Sequence, residues 1–161
     1  MISDHIAWLY TLNDHVLKVN TEGLTEGETL RRPTPGGNCA NWVVGHLLRS
    51  RKFLLEFLEC DWALPDGAAE VYHRGSSGDD DGRFIPFPEL RRMWEETHGL
   101  LMKALAGLTD EQLAAEVQPL GDFSKPDTRL RRILFLYFHE TYHLGQLGLL
   151  RRLLGREGAI K

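Results

Sequence analysis

The sequence predicts an all-α protein, an up-down four-helix bundle whose long helices are joined by short connecting helices. Three observations predict it. Four stretches carry apolar residues at helical spacing, two short segments between them carry capping-box pairs, and the length of 161 residues fits one domain spanning 1–161. A domain of this size can bury an apolar core without disulfides or other covalent supports.

The first two long helices are predicted from an apolar stripe and an N-cap residue each. The first runs from about Ser3 to Asn20, with Ser3 as its N-cap. The second follows Asn38, which can cap it. Its apolar side comprises Val43, Leu47, Phe53, Leu54 and Phe57. His46 falls on this same side, so we expect its imidazole to point inward.

The third and fourth long helices follow proline-containing segments. The third runs from near Pro88, a residue suited to a first helical turn, to Gly107. The fourth follows Asp127 and runs to Gly155. Its inward stripe comprises Leu136, His139, His143, Leu147, Leu150 and Leu154. Residues 133–138 are apolar on every side, which is typical of a helix covered all round by neighbours or by a second subunit, and we predict a homodimer.

Two short helices are predicted where the sequence Gly-Leu-Thr-acid occurs twice. Thr25 with Glu28, and Thr109 with Gln112, each fit a capping box, in which two side chains satisfy each other's backbone N–H groups. Each segment follows one long helix and precedes another. Each short helix is therefore expected to carry the chain toward the next long one.

Residues 61–87 form the longest predicted loop. This stretch is rich in Gly, Pro and Ser, contains three consecutive aspartates at 79–81, and is flanked by aromatic residues. Loops of this length in a compact domain are usually mobile or functional. It is either a lid over one end of the bundle or a solvated surface loop.

Charge and hydropathy exclude several classes of partner. The formal net charge is −4 and the arginine pairs are spread along the chain, so we expect no nucleic-acid partner. No apolar run approaches the roughly 18 residues of a membrane span, and the N-terminus lacks the pattern of a signal peptide. We therefore expect a cytoplasmic protein that does not contact membranes. Cys39 and Cys60 lie at opposite ends of one predicted helix and are interpreted as incidental.

Three histidines predict a metal site. His139 and His143 lie one turn apart in the fourth long helix, and His46 lies on the inward face of the second. Side chains at i and i+4 project within about 40° of each other, so two imidazoles can reach one cation without bending the backbone. A third imidazole from another helix completes one face around the ion.

The alternative explanation is a set of core histidines, each satisfied by one hydrogen bond. A lone His46 in an apolar stripe is more often of that kind. Three inward-facing histidines leave many ring nitrogens to satisfy, however, and a cation gives each ring one strong partner. The second nitrogen of each ring then donates to a carbonyl or carboxylate oxygen. We favour metal ligation for this reason.

The same segment spells His-Glu-x-x-His, the zincin signature, in which Glu140 would be the general base of a metalloprotease. The positions where the metzincin extension requires Gly and His hold Gln146 and Leu149. Among the 18 residues that follow His143, Glu157 is the single acidic one, and it lies beyond the predicted helix end. No upstream segment resembles the strand that would hold a peptide. A protease is therefore not favoured.

The arrangement resembles the DinB/YfiT-like family of candidate metalloenzymes, over nearly the whole chain. The resemblance depends on three motifs: Asn41-Trp42 ahead of His46, the run from His139 to Leu147, and the run from Leu150 to Gly155. It implies a bundle that binds a divalent ion, often zinc or nickel, through His46, His139 and His143, and often a homodimer. Many family members have no assigned reaction, and the others tend to be thiol-dependent S-transferases or isomerases that use a low-molecular-weight thiol.

An open metal site is consistent with chemistry on a small-molecule substrate. Three protein ligands leave a fourth tetrahedral position for water or substrate. Zinc lowers the pKa of a water or thiol at that position, which supplies a nucleophile for hydrolysis or for thiol transfer. The alternative is a non-catalytic metal-binding bundle that senses or sequesters a small ligand. A fourth protein ligand such as Asp14 or Glu140 would favour a structural ion.

Two further residues of the fourth helix are candidates for the site. Glu140 projects about 60° from His143, so it is either a catalytic base for water on the metal or a solvent-facing residue beside arginines, and we favour the latter. Gln146 lies one turn beyond His143 and can hydrogen-bond a ligand or a neighbouring helix. Tyr142 projects away from His139 and is expected to pack.

Overall fold

A computed structural model describes residues 1–34, 36–76, 82–120 and 127–160, and these residues form seven helices. The helices are α1 (Ile2–Thr21), α2 (Glu26–Thr29), α3 (Ala40–Phe57), α4 (Ala68–Val71), α5 (Phe87–Ala106), α6 (Asp110–Ala114) and α7 (Arg129–Leu153). Within the described ranges, β-type pairing is limited to one isolated antiparallel bridge between Glu116 and Thr128, just before α7. The predicted all-α fold of four long helices with short connecting helices is confirmed.

The four long helices pack as a square. α1 packs against α5 and α7, and α3 packs against the same two helices. Consecutive long helices α1 and α3 therefore lie on one diagonal of the square, and α2 with the segment after it carries the chain across. This arrangement places α3 beside α7, the two helices that carry the three histidines.

The helix boundaries agree with the periodicity but two predicted N-caps are wrong. α1 begins one residue before Ser3, whose side chain is buried in the first turn, and the chain's amino group donates to the Asp4 carboxylate at 2.8 Å. α3 begins two residues after Asn38, and Cys39 is its N-cap. Shifts of one or two residues at a helix start leave the apolar stripes on the same helix faces.

Both predicted capping boxes are confirmed. The Thr25 N–H donates to the Glu28 carboxylate at 2.8 Å, and the Glu28 N–H donates to Thr25 Oγ1 at 3.3 Å. Thr109 and Gln112 make the equivalent pair at 2.9 and 3.2 Å. These bonds satisfy N–H groups that a helix start otherwise leaves unpaired.

The segment between α3 and α5 covers part of the bundle. The short helix α4 and the residue after it, Tyr72, are packed into the core, and the Tyr72 hydroxyl donates to Asn41 Oδ1 of α3 at 2.9 Å. The same hydroxyl accepts from the Ile85 N–H at 2.9 Å, which ties the end of the segment to its middle. Asp79, Asp80 and Asp81 lie outside the described residues.

The apolar surface of α7 is only partly covered by the chain's own helices. Ile133 and Leu136 are buried, whereas Phe138 is 63% exposed. Other large apolar side chains on this exposed side of α7 are Leu134, Leu149 and Leu153. The chain's own described helices therefore do not cover α7 all round, and cover by a second subunit, the other predicted alternative, stays a prediction. No helix among the described residues is long and apolar enough to cross a membrane.

Candidate metal centre

The structure brings the three predicted histidines together. His46 projects from α3, and His139 and His143 project from α7. One ring nitrogen of each lies within 4.8 Å of the others, and the Nε2 atoms of His46 and His139 are 3.2 Å apart. Among the described residues, these three histidines form a group of possible ligands close enough together to hold one metal ion.

The distance between two of these nitrogens fits a tetrahedral metal site. Zinc–nitrogen bonds of about 2.0–2.1 Å in a tetrahedral site place neighbouring ligand nitrogens about 3.3 Å apart. The 3.2 Å between His46 Nε2 and His139 Nε2 agrees with that value. Three imidazoles are also a donor set that zinc and nickel both accept. The residues present therefore fit the ion that their sequence pattern predicts.

Hydrogen bonds at the second ring nitrogen orient two of the three imidazoles. His46 Nδ1–H donates to the Tyr72 carbonyl at 2.8 Å, and His143 Nδ1–H donates to Gln146 Oε1 at 2.8 Å. A carbonyl oxygen can only accept, so these bonds leave the Nε2 lone pairs of His46 and His143 free to bind an ion. His139 Nδ1 is buried without a hydrogen-bond partner among the described residues.

The His46 ring is held between Trp42 and the residues after α4. The Trp42 indole stacks on the imidazole with ring centres 4.7 Å apart and planes 8° apart. Trp42 Nε1 donates to Ser76 Oγ at 2.7 Å. A Cβ at position 45 would overlap the Tyr72 ring, so Gly45 permits the close approach that brings the Tyr72 carbonyl to His46.

Burial favours the neutral form of all three imidazoles. It lowers the pKa of His46, of His143 and, most strongly, of His139, whose pKa falls from 6.5 to about 4. The neighbouring His143 and His46 lower the pKa of His139 further. A neutral imidazole is the form that binds a metal, so burial favours the metal-binding form of all three rings.

We predict that His139 makes the metal-free protein less stable in acid. Between pH 6.5 and about 4 the unfolded chain binds a proton at this residue that the folded chain does not. The free energy of unfolding therefore falls as the pH falls through this window, and His139 contributes nothing to the pH dependence above it. Urea denaturation of chelator-treated protein at several pH values should show a shallower dependence for His139→Gln than for the wild type. Equal slopes would contradict the prediction.

Glu140 does not face solvent, so the interpretation favoured from the sequence, a solvent-facing residue beside arginines, is wrong. Its side chain is 3% exposed. Its two carboxylate oxygens accept from the Arg51 guanidinium, from Nε at 2.9 Å and from Nη2 at 3.1 Å. A carboxylate held by both oxygens in an ion pair is not placed as a catalytic base, so we do not assign Glu140 that role.

The Arg51–Glu140 pair belongs to a buried polar network between α1, α3, α5 and α7. Arg51 lies over the Trp94 ring, 3.2 Å from its centre, and donates to the Trp94 carbonyl at 3.3 Å. The Trp94 indole N–H donates to Asp14 at 3.0 Å, and Lys18 donates to the same carboxylate at 2.8 Å. Asp14 and Glu140 are therefore held by partners of their own and do not join the three histidines.

Gln146 lies at the site, with a role that the sequence left open. It accepts from His143 and also lines the cavity in front of the histidines. We predict that Gln146→Leu weakens zinc binding by about 10- to 100-fold, because the residue orients a metal ligand. Competition with a chromophoric chelator measures the change. Gln146→Glu keeps an acceptor oxygen and serves as the control, and equal affinity of the Leu and Glu variants would refute the assigned role.

The three imidazoles face an open cavity of about 1020 Å³. This volume is in the range of small-molecule sites. Its walls include Phe53, Phe135 and Tyr142, in addition to Trp42. Phe53 is 39% exposed, so the expectation that it points inward with the rest of its stripe is wrong. Tyr142 was expected to project away from His139 and to pack, but it lines the same cavity as His139, is 60% exposed and contacts the His143 ring with ring centres 5.4 Å apart.

Sequence reasoning missed Arg51 and Tyr72. Arg51 carried a usable signal, because it follows Leu47 by four residues and precedes Leu54 by three, inside an inward-facing stripe. A charge at such a position requires a buried partner. Tyr72 carried no comparable signal, since it acts through its backbone carbonyl and any residue has one.

Comparison with known proteins identifies the family. Residues 9–147 match the sequence model of the DinB superfamily. A similar solved structure is the crystal structure of a conserved protein from Enterococcus faecalis, with 17% sequence identity and a TM-score of 0.78 over 97% of this chain and 99% of that one. At this identity the likeness shows the fold alone. No curated protein matches the chain. On the sequence match, which covers most of its length, this chain belongs to the DinB superfamily.

Proposed function

We propose that this protein is a divalent-metal-dependent enzyme that acts on a small molecule, of the hydrolase or thiol-dependent S-transferase type. The observation that carries the proposal is the position of three imidazole nitrogens, within 4.8 Å of one another, on the wall of an open cavity. A structural ion is usually closed by four protein ligands, whereas a catalytic ion keeps one position open. Asp14 and Glu140, the two acids considered as a fourth ligand, are engaged with Lys18 and Arg51.

The chain's own residues prepare the site for an ion, for which we propose zinc or nickel. Tyr72 and Gln146 orient His46 and His143, and the Trp42 ring shields one face of His46 from water. When bound, such an ion would lower the pKa of a water or thiol that reaches it. The apolar cavity walls hold the organic part of a substrate in front of these ligands.

Two reactions are compatible with this arrangement. In thiol transfer, the sulfur of a low-molecular-weight thiol bonds to an electrophilic carbon, the leaving group departs with the bonding electrons, and the thiol proton passes to solvent. In hydrolysis, the oxygen of water takes the place of that sulfur. The cavity is large enough for a small thiol together with a second small molecule.

The test is a screen of zinc- and nickel-loaded protein with common cellular thiols and a panel of electrophiles, alongside a panel of esters and amides. We expect consumption of one electrophile to require both the metal and a thiol, or consumption of one ester or amide to require the metal alone. His139→Ala is the negative control. If the metal-loaded protein turns over none of these compounds, the result would count against the proposal that the protein is an enzyme.

A non-catalytic bundle that senses or sequesters a small ligand is the alternative. It is favoured by the loss of one candidate general base, since Glu140 is committed to Arg51. This alternative predicts saturable ligand binding to the metal-loaded protein without turnover. Calorimetry on the screened compounds, combined with product analysis, distinguishes it from the enzyme.

We also propose that the protein is a homodimer formed through the exposed apolar side of α7. Phe138 and Leu149 lie on this side, and both are largely exposed. Phe138→Lys with Leu149→Lys is expected to convert a dimer into a monomer in light scattering after size exclusion. Leu30→Lys, at an exposed position outside α7, is the control. A monomeric wild type would refute the proposal. Cytoplasmic location and the lack of nucleic-acid and membrane partners stay predictions.

A further inference from the structure

The cavity in front of the three histidines carries an excess of positive charge. Its lining includes Arg49, Lys52 and Arg74 and a single carboxylate, that of Glu56. Lys52 donates to Glu56, so these two charges largely offset each other. No carboxylate among the described residues pairs with Arg49 or Arg74. Because the chain as a whole has a net charge of −4, the basic lining is a local feature of this cavity.

The two arginines are connected to the same structural elements that hold His46. Arg49 follows His46 by three residues on α3, one turn of the helix, and both residues line the cavity. Arg74 follows Tyr72, whose carbonyl accepts from His46, by two residues. Both side chains are exposed, so they are accessible to a ligand that enters the cavity.

The apolar part of the lining favours a ligand that also carries an apolar group. Phe53 and Tyr142 line the same cavity with large parts of their rings exposed. Leaving such rings in contact with water is unfavourable, and an apolar ligand group that covers them is stabilised. An inorganic anion would occupy only a small fraction of a cavity of about 1020 Å³.

We propose that the cavity binds a small organic carboxylate with an apolar body. Arg49 and Arg74 bind the carboxylate, since the planar guanidinium matches its two oxygens, and Phe53 and Tyr142 pack against the body. This orientation leaves another part of the ligand at the three-histidine group. The inference rests on the proposed function of the same site and names its substrate class.

The experiment compares 3-phenylpropionate with its neutral analogue 3-phenylpropionamide by isothermal titration calorimetry. Both metal-free and zinc-loaded protein are used, because a carboxylate can also coordinate a metal directly. We expect the acid to bind at least about 10-fold more tightly than the amide in both forms, as is typical of hydrogen bonds to charged groups. The preference should fall below about 2-fold in Arg49→Gln/Arg74→Gln, whose two exposed positions tolerate the change.

Arg91→Gln/Lys103→Gln is the matched control, because it removes the same charge from α5, outside the cavity lining. It should keep the preference for the acid. Four results would overturn the inference: equal binding of acid and amide to metal-free protein, binding of neither, a preference that survives loss of Arg49 and Arg74, or a preference lost in the control. Tighter binding of phenylphosphate than of the acid by more than about 10-fold would overturn the carboxylate assignment.

Failure of the proposed function has a different signature. A protein that takes up no metal, or that turns over nothing when loaded, can still show the carboxylate preference in its metal-free form. Conversely, if the protein is a metal-dependent enzyme but its metal-free form binds the acid and the amide equally, the inference is refuted and the proposed function is not.

Discussion

Replacement of Arg51 by methionine is expected to lower the free energy of unfolding by about 3–5 kcal/mol, because it leaves the Glu140 carboxylate buried without its partner. Arg51 is 1% exposed and Glu140 is 3% exposed, so water cannot take the place of the lost guanidinium. The same change removes the contact of Arg51 with the Trp94 ring. For a domain of this size the melting temperature should fall by roughly 6–20 °C.

Urea denaturation of metal-free protein measures this effect without a contribution from the ion. Arg92→Met is the matched control, because Arg92 forms an exposed ion pair with Glu89 on the surface of α5. Exposed pairs of this kind contribute little, and the control should unfold close to the wild type. Arg51→Met/Glu140→Leu should recover part of the loss, since no buried charge then remains. If Arg51→Met and Arg92→Met have the same stability, the buried pair does not have the importance assigned to it.

Removal of any one of the three histidines is expected to abolish stoichiometric metal binding. The purified wild type should carry about one divalent ion per chain, and His46→Ala, His139→Ala and His143→Ala should each lower the affinity by more than about 100-fold. Loss of a ligand is more costly than loss of a residue that only orients one, for which a 10- to 100-fold effect is typical. Elemental analysis and chelator competition give the two measurements.

His73→Ala is the matched control, because His73 is exposed and its Nδ1–H donates to the Glu70 carbonyl outside the three-histidine group. It should retain the ion of the wild type. The metal-free His139→Ala variant should keep its helical circular dichroism, which separates loss of the ion from loss of the fold. Retention of metal by all three variants would exclude this site, whatever the fold.

Local sequence patterns predicted the helices and the direction of the histidines well. The apolar stripes placed His46 inward on the second long helix and His139 beside His143 on the fourth, and the structure brings these side chains together. Both capping boxes formed as predicted, because a capping box joins residues only three positions apart. Such features depend on the period of a helix and on nearby side chains, both of which can be inferred directly from a sequence.

Glu140 shows where this kind of reasoning stops. The helical wheel gave its angle relative to His143 but could not say what lies opposite. The interpretations considered were a catalytic base, a solvent-facing residue and a fourth metal ligand, and none of them was a buried ion pair. Its partner Arg51 is 89 residues away in sequence. The burial of Phe53 was misjudged for a related reason, since a cavity exposes apolar side chains that a stripe alone assigns to the core.

By itself the sequence determined the number and phase of the long helices, the inward direction of three imidazoles and the membership of a family. Only the tertiary structure decided that Glu140 binds Arg51, that Tyr72 and Gln146 orient two of the imidazoles, and that basic and apolar side chains share one cavity. The physical reason is the range of the interactions. Helix period and capping act within a few residues, whereas the packing of α3 against α7 depends on contacts between segments far apart in the chain.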